Sequence, residues 1–402
     1  MENTPRSNRI HIGIFGKRNS GKSSLINALT GQEIAVVSDF AGTTTDPVYK
    51  AMEIHGLGAC VFIDTAGLDD EGELGALRIK QTMRAMERTD IALIVCTDDQ
   101  IDQELQWSKW LKEKNTPILW ILNKADLHAD SEQIARRIEK RCGQMPLIVS
   151  ARNREGMEEI RRSMIGQFPD ETMERGIVGR LVSAGDVVML VMPQDIQAPK
   201  GRLILPQVQT IRELLDRKCL VMSCTTENIT SMIQALVEPP KLIITDSQVF
   251  KTVYELKPEA SRLTSFSVLF AQYKGDIGYY IEGANAISQL TEKSKVLIAE
   301  ACTHAPLTED IGRVKTPRML RKRIGEGLQI DMVSGTDFPE DLSSYDLVIH
   351  CGACMFNRKY VLNRVAQARN QHIPMTNYGV VIAYINGILD KIDSVSYTHL
   401  TL

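Results

Sequence analysis

The segment Gly16–Ser23, GKRNSGKS, constrains this chain more than any other stretch. It matches the pattern G-x-x-x-x-G-K-[ST], follows the strand-like RIHIGIFG and runs into the helix-like SSLINALTG, the strand–loop–helix context the motif needs. Glycines there let backbone N–H groups curl around phosphate oxygens, and the helix N-terminus adds a favourable field. The spacing assigns Lys22 to the β- and γ-phosphates and the Ser23 hydroxyl to Mg2+. Gly16, Ser20, Gly21 and Ser24 complete the loop. A bare glycine-rich turn, the alternative, is disfavoured by that context.

The surrounding pattern fits. From Arg9 to about Phe168 short apolar runs, RIHIGIFG, ACVFIDT, IALIVCT, PILWILNK and PLIVSA, alternate with longer amphipathic ones. Such alternation predicts a mostly parallel sheet covered on both faces. A linker with Pro169, Gly176 and Gly179 follows. A second strand–helix unit, about Gly185–Pro258, runs DVVMLVMP, QVQTIRELLDRK, CLVMSC, NITSMIQAL, KLIITDS and QVFKTVYEL. It is small for an independent domain and is expected to pack on a neighbour or on its own copy. A third unit opens near Leu263 with SVLFAQYKG and continues through KVLIAEACTH, LQIDMVSG, YDLVIHCGACMF, RKYVLNRVAQARNQ and PMTNYGVVIAYING. No tandem repeat is visible, and the last residues, SVSYTHLTL, fit neither helix nor strand.

At 402 residues, 43% apolar and 24% charged, the chain allows two or three cores. The net charge of −3 gives no case for nucleic acid or an anionic membrane as a main partner, the basic stretch Lys315–Arg323 apart. Neither a signal-peptide pattern nor a long apolar run is present, so a cytoplasmic protein is expected, with its eight cysteines mostly reduced.

Three further motifs fall in order behind the phosphate loop. DTAG ends a strand, placing Asp64 to hold Mg2+ through water and the Gly67 N–H at the γ-phosphate. NKAD, Asn123–Asp126 with Lys124 between, ends another; the Asp126 carboxylate can accept both N–H groups on guanine's ring edge, which adenine does not present. In SA, Ser150 and Ala151, a backbone N–H can meet the guanine oxygen. With TTTD, Thr43–Asp46, these resemble the five motifs of GTPases of the translation-factor-related class. That resemblance implies GTP hydrolysis to GDP and phosphate with Mg2+, and a threonine, by preference Thr44 rather than Thr43 or Thr45, as a Mg2+ ligand. Leu68 after DTAG, where Ras-like enzymes carry glutamine, resembles the branch that includes MnmE and Era. Asn19 resembles the asparagine that helps bind K+ in potassium-activated members, where the cation stands in for an arginine finger; the resemblance implies slow, K+-stimulated turnover.

The far end carries other chemistry. CTH, Cys302 to His304, and HCGAC, His350 to Cys354, each follow a strand-like run. Strand ends of an open α/β sheet are where site loops converge, so three thiolates and two imidazoles could meet. Tetrahedral zinc takes both donors; an iron–sulfur cluster on three cysteines leaves one iron for another ligand; the spacing is not that of a compact zinc finger. Cys60, Cys96, Cys142, Cys219 and Cys224 read as ordinary free cysteines, and His11, His55, His128 and His372 lack partners at ligand spacing.

A GTPase of this type, then a small α/β unit, then C-x-H…H-C-x-x-C, resembles the HydF family, the maturation GTPases of iron–iron hydrogenase, over essentially Arg9–Asp393. The resemblance implies an α/β protein of three domains: an N-terminal P-loop GTPase with a doubly wound sheet over 8–170, a small dimerisation domain over 180–262 and an iron–sulfur domain over 263–393. It implies a 4Fe-4S cluster on Cys302, Cys351 and Cys354, with His304 or His350, the latter slightly preferred, as exchangeable fourth ligand. It further implies a scaffold and carrier for a diiron precursor bearing CO, cyanide and a dithiolate bridge. That precursor would come from two radical-SAM maturases and pass to apo-hydrogenase, and the chain would be a homodimer or tetramer. Two other readings are a translation- or tRNA-associated GTPase with structural zinc, and a cluster carrier that no longer hydrolyses GTP.

Overall fold

Runs of β-branched and aliphatic residues without a polar break form strands that are buried on both faces. In a computed structural model of the chain, the described residues are 6–31, 48–54, 56–65, 81–168, 176–194, 203–301 and 311–391. The chain divides into two compact units, Met1–Met173 and Glu174–Leu402.

Among the described residues the first unit holds six strands: β1 Ile10–Phe15, β2 Val48–Ile54, β3 Gly58–Asp64, β4 Ile91–Cys96, β5 Ile118–Leu122 and β6 Leu147–Ile148. Their order is β2-β3-β1-β4-β5-β6, parallel except for the β2–β3 hairpin. Alternation splits the core in two. Leu93 and Val95 of β4 join Leu25, Ile26 and Ile160 on one face, while Ala92 and Ile94 join Trp107, Leu111 and Ile138 on the other. Helices Lys22–Thr30 and Met157–Gly166 therefore cover one side, and Asp102–Glu113 and Ser131–Cys142 the other. This is the doubly wound α/β arrangement expected from the sequence, with β2 as an antiparallel edge that the apolar runs did not announce.

Among its described residues the second unit contains two four-stranded parallel sheets. The first is built from β7 Val187–Val191, β8 Leu220–Cys224, β9 Leu242–Thr245 and β10 Arg262–Ser265, the second from β11 Lys295–Glu300, β12 Gln329–Ser334, β13 Leu347–His350 and β14 Met375–Asn377. Their orders are β10-β9-β7-β8 and β12-β11-β13-β14. Read from the opposite edge, the first has the winding of the second, and every pairing is parallel. Strand β10 pairs with β9 over Arg262–Ser265, so the first of these sheets runs past the boundary drawn at 262/263.

The likeness extends to detail that residue identity hides. Each last strand runs straight into a helix, Phe266–Lys274 or Tyr378–Ile385. The preceding side chain caps each: Ser265 Oγ accepts from the Val268 N–H at 3.3 Å, and Asn377 Oδ1 from the Val380 N–H at 3.0 Å. The buried hydroxyls Thr264 and Thr376 stand one residue before each cap. The sequence shows no tandem repeat, but the unit is wound twice in the same way. Among the described residues no helix is long and apolar enough to cross a membrane.

Candidate functional site

The phosphate loop leaves β1 and closes on the N-terminus of helix Lys22–Thr30. Gly16 passes so close to the Val95 carbonyl and Ser20 Oγ that a Cβ there would collide with both, and Gly21 takes a left-handed φ of 87° against Asn123. Asn19, exposed at the loop tip, is also left-handed at φ 61°, a conformation asparagine tolerates better than most residues. Lys22 is buried, and its Nζ donates to the Gly16 and Lys17 carbonyls at 2.7 and 2.8 Å. Ser23 Oγ donates to Asp64 Oδ2 at 3.0 Å. Burial raises the Asp64 carboxyl above its ordinary range, while the Ser23 hydrogen bond and the Lys22 and Lys50 charges pull it back. The residues assigned to Mg2+ thus already touch. Ser24 follows in the first turn of the helix.

The base-recognition motifs assemble beside this loop. Asn123, 1% exposed, donates through Nδ2 to the Ser20 carbonyl at 3.0 Å and accepts at Oδ1 from the Ala151 N–H at 3.0 Å. Lys124 is left-handed at φ 63°, and its side chain lies against Gly21. Asp126, exposed, accepts from Ser150 Oγ at 2.6 Å, and the same oxygen receives the Asn153 N–H at 3.1 Å. One side chain therefore fastens the phosphate loop to the base loop, a role for Asn123 that motif order alone did not disclose. Thr43, Thr44, Thr45 and Gly67 lie outside the described residues.

The cysteine motifs occupy the other end of the chain. In the sheet β12-β11-β13-β14 the winding reverses between β11 and β13, the position at which open α/β sheets build sites beyond their strand C-termini. There Cys351 Sγ accepts the Ala301 N–H at 3.0 Å and the Ala353 N–H at 3.4 Å. Burial pushes the Cys351 thiol up to about 11, and these N–H donors act the other way. Ala353 is left-handed at φ 50°, turning the loop so that Cys354 follows, half-buried. Cys302 and His304 lie outside the described residues, and among the described residues no group of three His, Cys, Asp or Glu is placed to hold a metal ion.

His350 is fully buried at the end of β13. Arg364 Nη1 lies 2.9 Å from its Nε2, and its Nδ1 lies 2.8 Å from the Cys351 carbonyl. Arginine can only donate, so the imidazole is neutral, accepts at Nε2 and donates from Nδ1. Burial and the Arg364 charge push its titration down to about 3. Both nitrogens are engaged, which weighs against the slight preference for His350 as the exchangeable ligand.

Lys274, 2% exposed, donates from one Nζ to the carbonyls of Ala353, Cys354 and Phe356 at 3.1, 3.2 and 2.8 Å. Sequence reading passed over it, although it falls three and four residues after the buried Ala271 and Phe270 on an apolar helix, a spacing that predicts burial. Soft sulfur, N–H groups aimed at it and a buried ammonium at the loop fit a negatively charged, sulfur-ligated centre.

Comparison with known proteins accords with this division. The Hydrogen maturase F dimerization domain model matches residues 177–275, and the Hydrogen maturase F tetramerization domain model matches 278–394. The chain belongs to the hydrogen maturase F family. A 50S ribosome-binding GTPase model matches residues 11–124, so this member carries a GTPase domain. GTPase Der of Wolinella succinogenes is 36% identical over 166 residues, 39% of this chain and 35% of that protein. The tRNA modification GTPase MnmE of Bordetella petrii is 34% identical over 158 residues, 39% of this chain and 33% of that protein. The chain thus spans about a third of the length of these curated relatives. A solved structure of Era with MgGDPNP and a 16S ribosomal RNA segment shares 18% identity and a TM-score of 0.35, over 54% of this chain and 92% of that one.

Proposed function

We propose that this family member is a GTP-hydrolysing scaffold and carrier that holds a 4Fe-4S cluster and passes a diiron precursor to apo iron–iron hydrogenase. The observation that carries the reading is the pairing of an assembled nucleotide site with a Cys351 thiol held by two backbone N–H groups at a switch point. Lys22 would exchange the Gly16 and Lys17 carbonyls for the β- and γ-phosphates, moving little. Ser23 and Asp64, with Thr44, would hold Mg2+, and Gly67 would meet the γ-phosphate. Asp126 would select guanine. Ala151 would share its N–H between Asn123 and the guanine oxygen. Asn19 is the residue we assign to K+, a cation that would offset charge developing between the phosphates. The products are GDP and phosphate. A γ-phosphate met by Thr44 and Gly67 would be lost on hydrolysis, so hydrolysis would serve as timing for partner exchange rather than as energy for the cluster.

Cys302, Cys351 and Cys354 would hold the cluster. With His350 engaged by Arg364, His304 becomes the preferred histidine for the fourth position. The cluster supplies a labile iron corner at which an incoming metal complex can bridge. Two radical-SAM maturases and apo-hydrogenase are the proposed partners, and the dimerization and tetramerization modules support self-association, so the working form is a homo-oligomer. The expected setting is the cytoplasm.

The test is metal and sulfide analysis of anaerobically prepared protein, with electron paramagnetic resonance, for the parent and Cys302→Ser, Cys351→Ser and Cys354→Ser. Iron and sulfide near four each per chain in the parent, with loss in every variant, supports the reading. Zinc alone in oxygen-free protein would reject it in favour of a structural zinc site.

A further inference from the structure

Lys274 ends the helix Phe266–Lys274, which follows β10 of the first sheet of the second unit, while the loop it holds follows β13 of the next sheet. The dimerization-domain match ends at residue 275 and the tetramerization-domain match begins at 278. The side chain therefore reaches from one module into the cysteine loop of the other, 79 to 82 residues away in sequence.

An ammonium has three protons and an amine two. Three carbonyl acceptors around one Nζ, at 3.1, 3.2 and 2.8 Å, match the charged form. Yet the side chain is 2% exposed and makes no ion pair among the described residues. Arg364, 3% exposed, is a second buried cation in the same position. It donates to His350, the Gly335 carbonyl and Tyr360, lies 4.7 Å from the Phe338 ring centroid, and has no carboxylate partner among the described residues. Carbonyl dipoles and ring faces satisfy hydrogen bonds, but they do not neutralise two unit charges. Buried charges of one sign are retained where an opposite charge is present.

We propose that Lys274 is a positioning residue for the metal centre of the cysteine loop, fixing that loop through its three carbonyls and supplying a buried positive charge that favours the more negative, reduced state of the centre. The proposal rests on the cluster reading above. A thiolate-ligated centre gains negative charge on reduction, so a nearby fixed cation raises its midpoint potential, as net charge and hydrogen bonding do generally for such centres. Arg364 reaches the same loop through His350, which donates to the Cys351 carbonyl.

The experiment compares the full-length parent, Lys274→Met and Lys274→Gln, reconstituted anaerobically with iron and sulfide. Circular dichroism and elution volume report folding; iron per chain and a dye-mediated potentiometric titration followed by electron paramagnetic resonance report the centre. Met keeps length without donors or charge, and Gln keeps a donor without charge. The expected result is a midpoint potential lower than the parent's in both variants, with iron per chain falling in the order parent, Gln, Met. Lys293→Met, on an exposed lysine, leaves both unchanged. A folded Lys274→Met or Lys274→Gln with the parent's potential and iron content overturns the proposal. If Met does not fold, the potential of Gln decides it. A parent that takes up no iron and sulfide instead overturns the cluster reading, and this inference with it.

Discussion

The Arg364 guanidinium lies 2.9 Å from the imidazole of His350 and fixes it as a neutral hydrogen-bond acceptor, with both residues buried. The ring donates its single N–H, at Nδ1, to the Cys351 carbonyl at 2.8 Å. A histidine in the middle of such a chain acts as a spacer between a cation and a cysteine loop.

His350→Ala should therefore keep iron and sulfide bound and lose stability. The change leaves Arg364 Nη1 and the Cys351 carbonyl without their partner, at a cost of about 1–3 kcal/mol for a buried group left unsatisfied. A lower thermal midpoint with parent-like iron content is expected from calorimetry and metal analysis. Full stability with loss of cluster would instead make His350 a ligand.

Lys22→Ala should lower kcat/KM for GTP by about 100-fold or more, because the lysine is a buried cation held at the phosphate loop on the Gly16 and Lys17 carbonyls and such groups carry transition-state charge. Steady-state phosphate release measures it. Hydrolysis within a factor of a few of the parent would detach the activity from this loop.

Asn123→Ala should weaken GTP and GDP alike and lower the thermal midpoint of the first unit. Two buried partners, the Ser20 carbonyl and the Ala151 N–H, lose their hydrogen bonds, worth about 1–3 kcal/mol and roughly 3–10 °C. Nucleotide titration and scanning calorimetry give the two numbers. An effect on affinity with no change in stability would mean that Asn123 acts on the base alone.

Glu104 gives a pH dependence. It is 1% exposed in the first turn of helix Asp102–Glu113, with Lys17 Nζ 3.7 Å from Oε2. Burial raises its carboxyl above the ordinary range, only partly offset by backbone hydrogen bonding and Lys17. With the folded value above the unfolded one, the folded state holds the proton more tightly. Its contribution to stability is thus complete below the unfolded value, about 4.3, and is lost as pH rises through the folded one. Glu104→Gln should remove that loss, leaving the variant at least as stable as the parent at neutral pH and with a flatter stability profile from acid to neutral pH. Urea melts across that range test it. A variant less stable than the parent at pH 7 would show that the ionised carboxylate is favoured where it sits.

The nucleotide site was legible because each of its parts sits at a strand end with its own short signature. Gly16–Ser23, Asp64, Asp126 and Ser150 stand where strand order put them. What motif reading missed there was mutual contact: Asn123 clamps two loops together, bonding Ser20, 103 residues before it, and Ala151, 28 residues after it. The cysteine loop was legible as a ligand pattern but not in its orientations. Adjacent residues on a strand point to opposite faces, so His350 at the end of β13 turns to Arg364 while the chain carries Cys351 onward into the loop. The paired winding of the two sheets in the second unit left no repeat in residue identity, because parallel strands accept almost any aliphatic residue.

The sequence by itself determined most of the elements, though not the edge strand β2, together with the order of the nucleotide motifs and which residues are chemically able to bind phosphate or metal. These depend on local periodicity and on residue type at fixed spacing. Only the tertiary structure decided which of them touch: Lys274 on the cysteine loop, Arg364 on His350, Asn123 between Ser20 and Ala151. Each joins residues from different elements, and no period along the chain records a contact that the packing of sheets and helices creates.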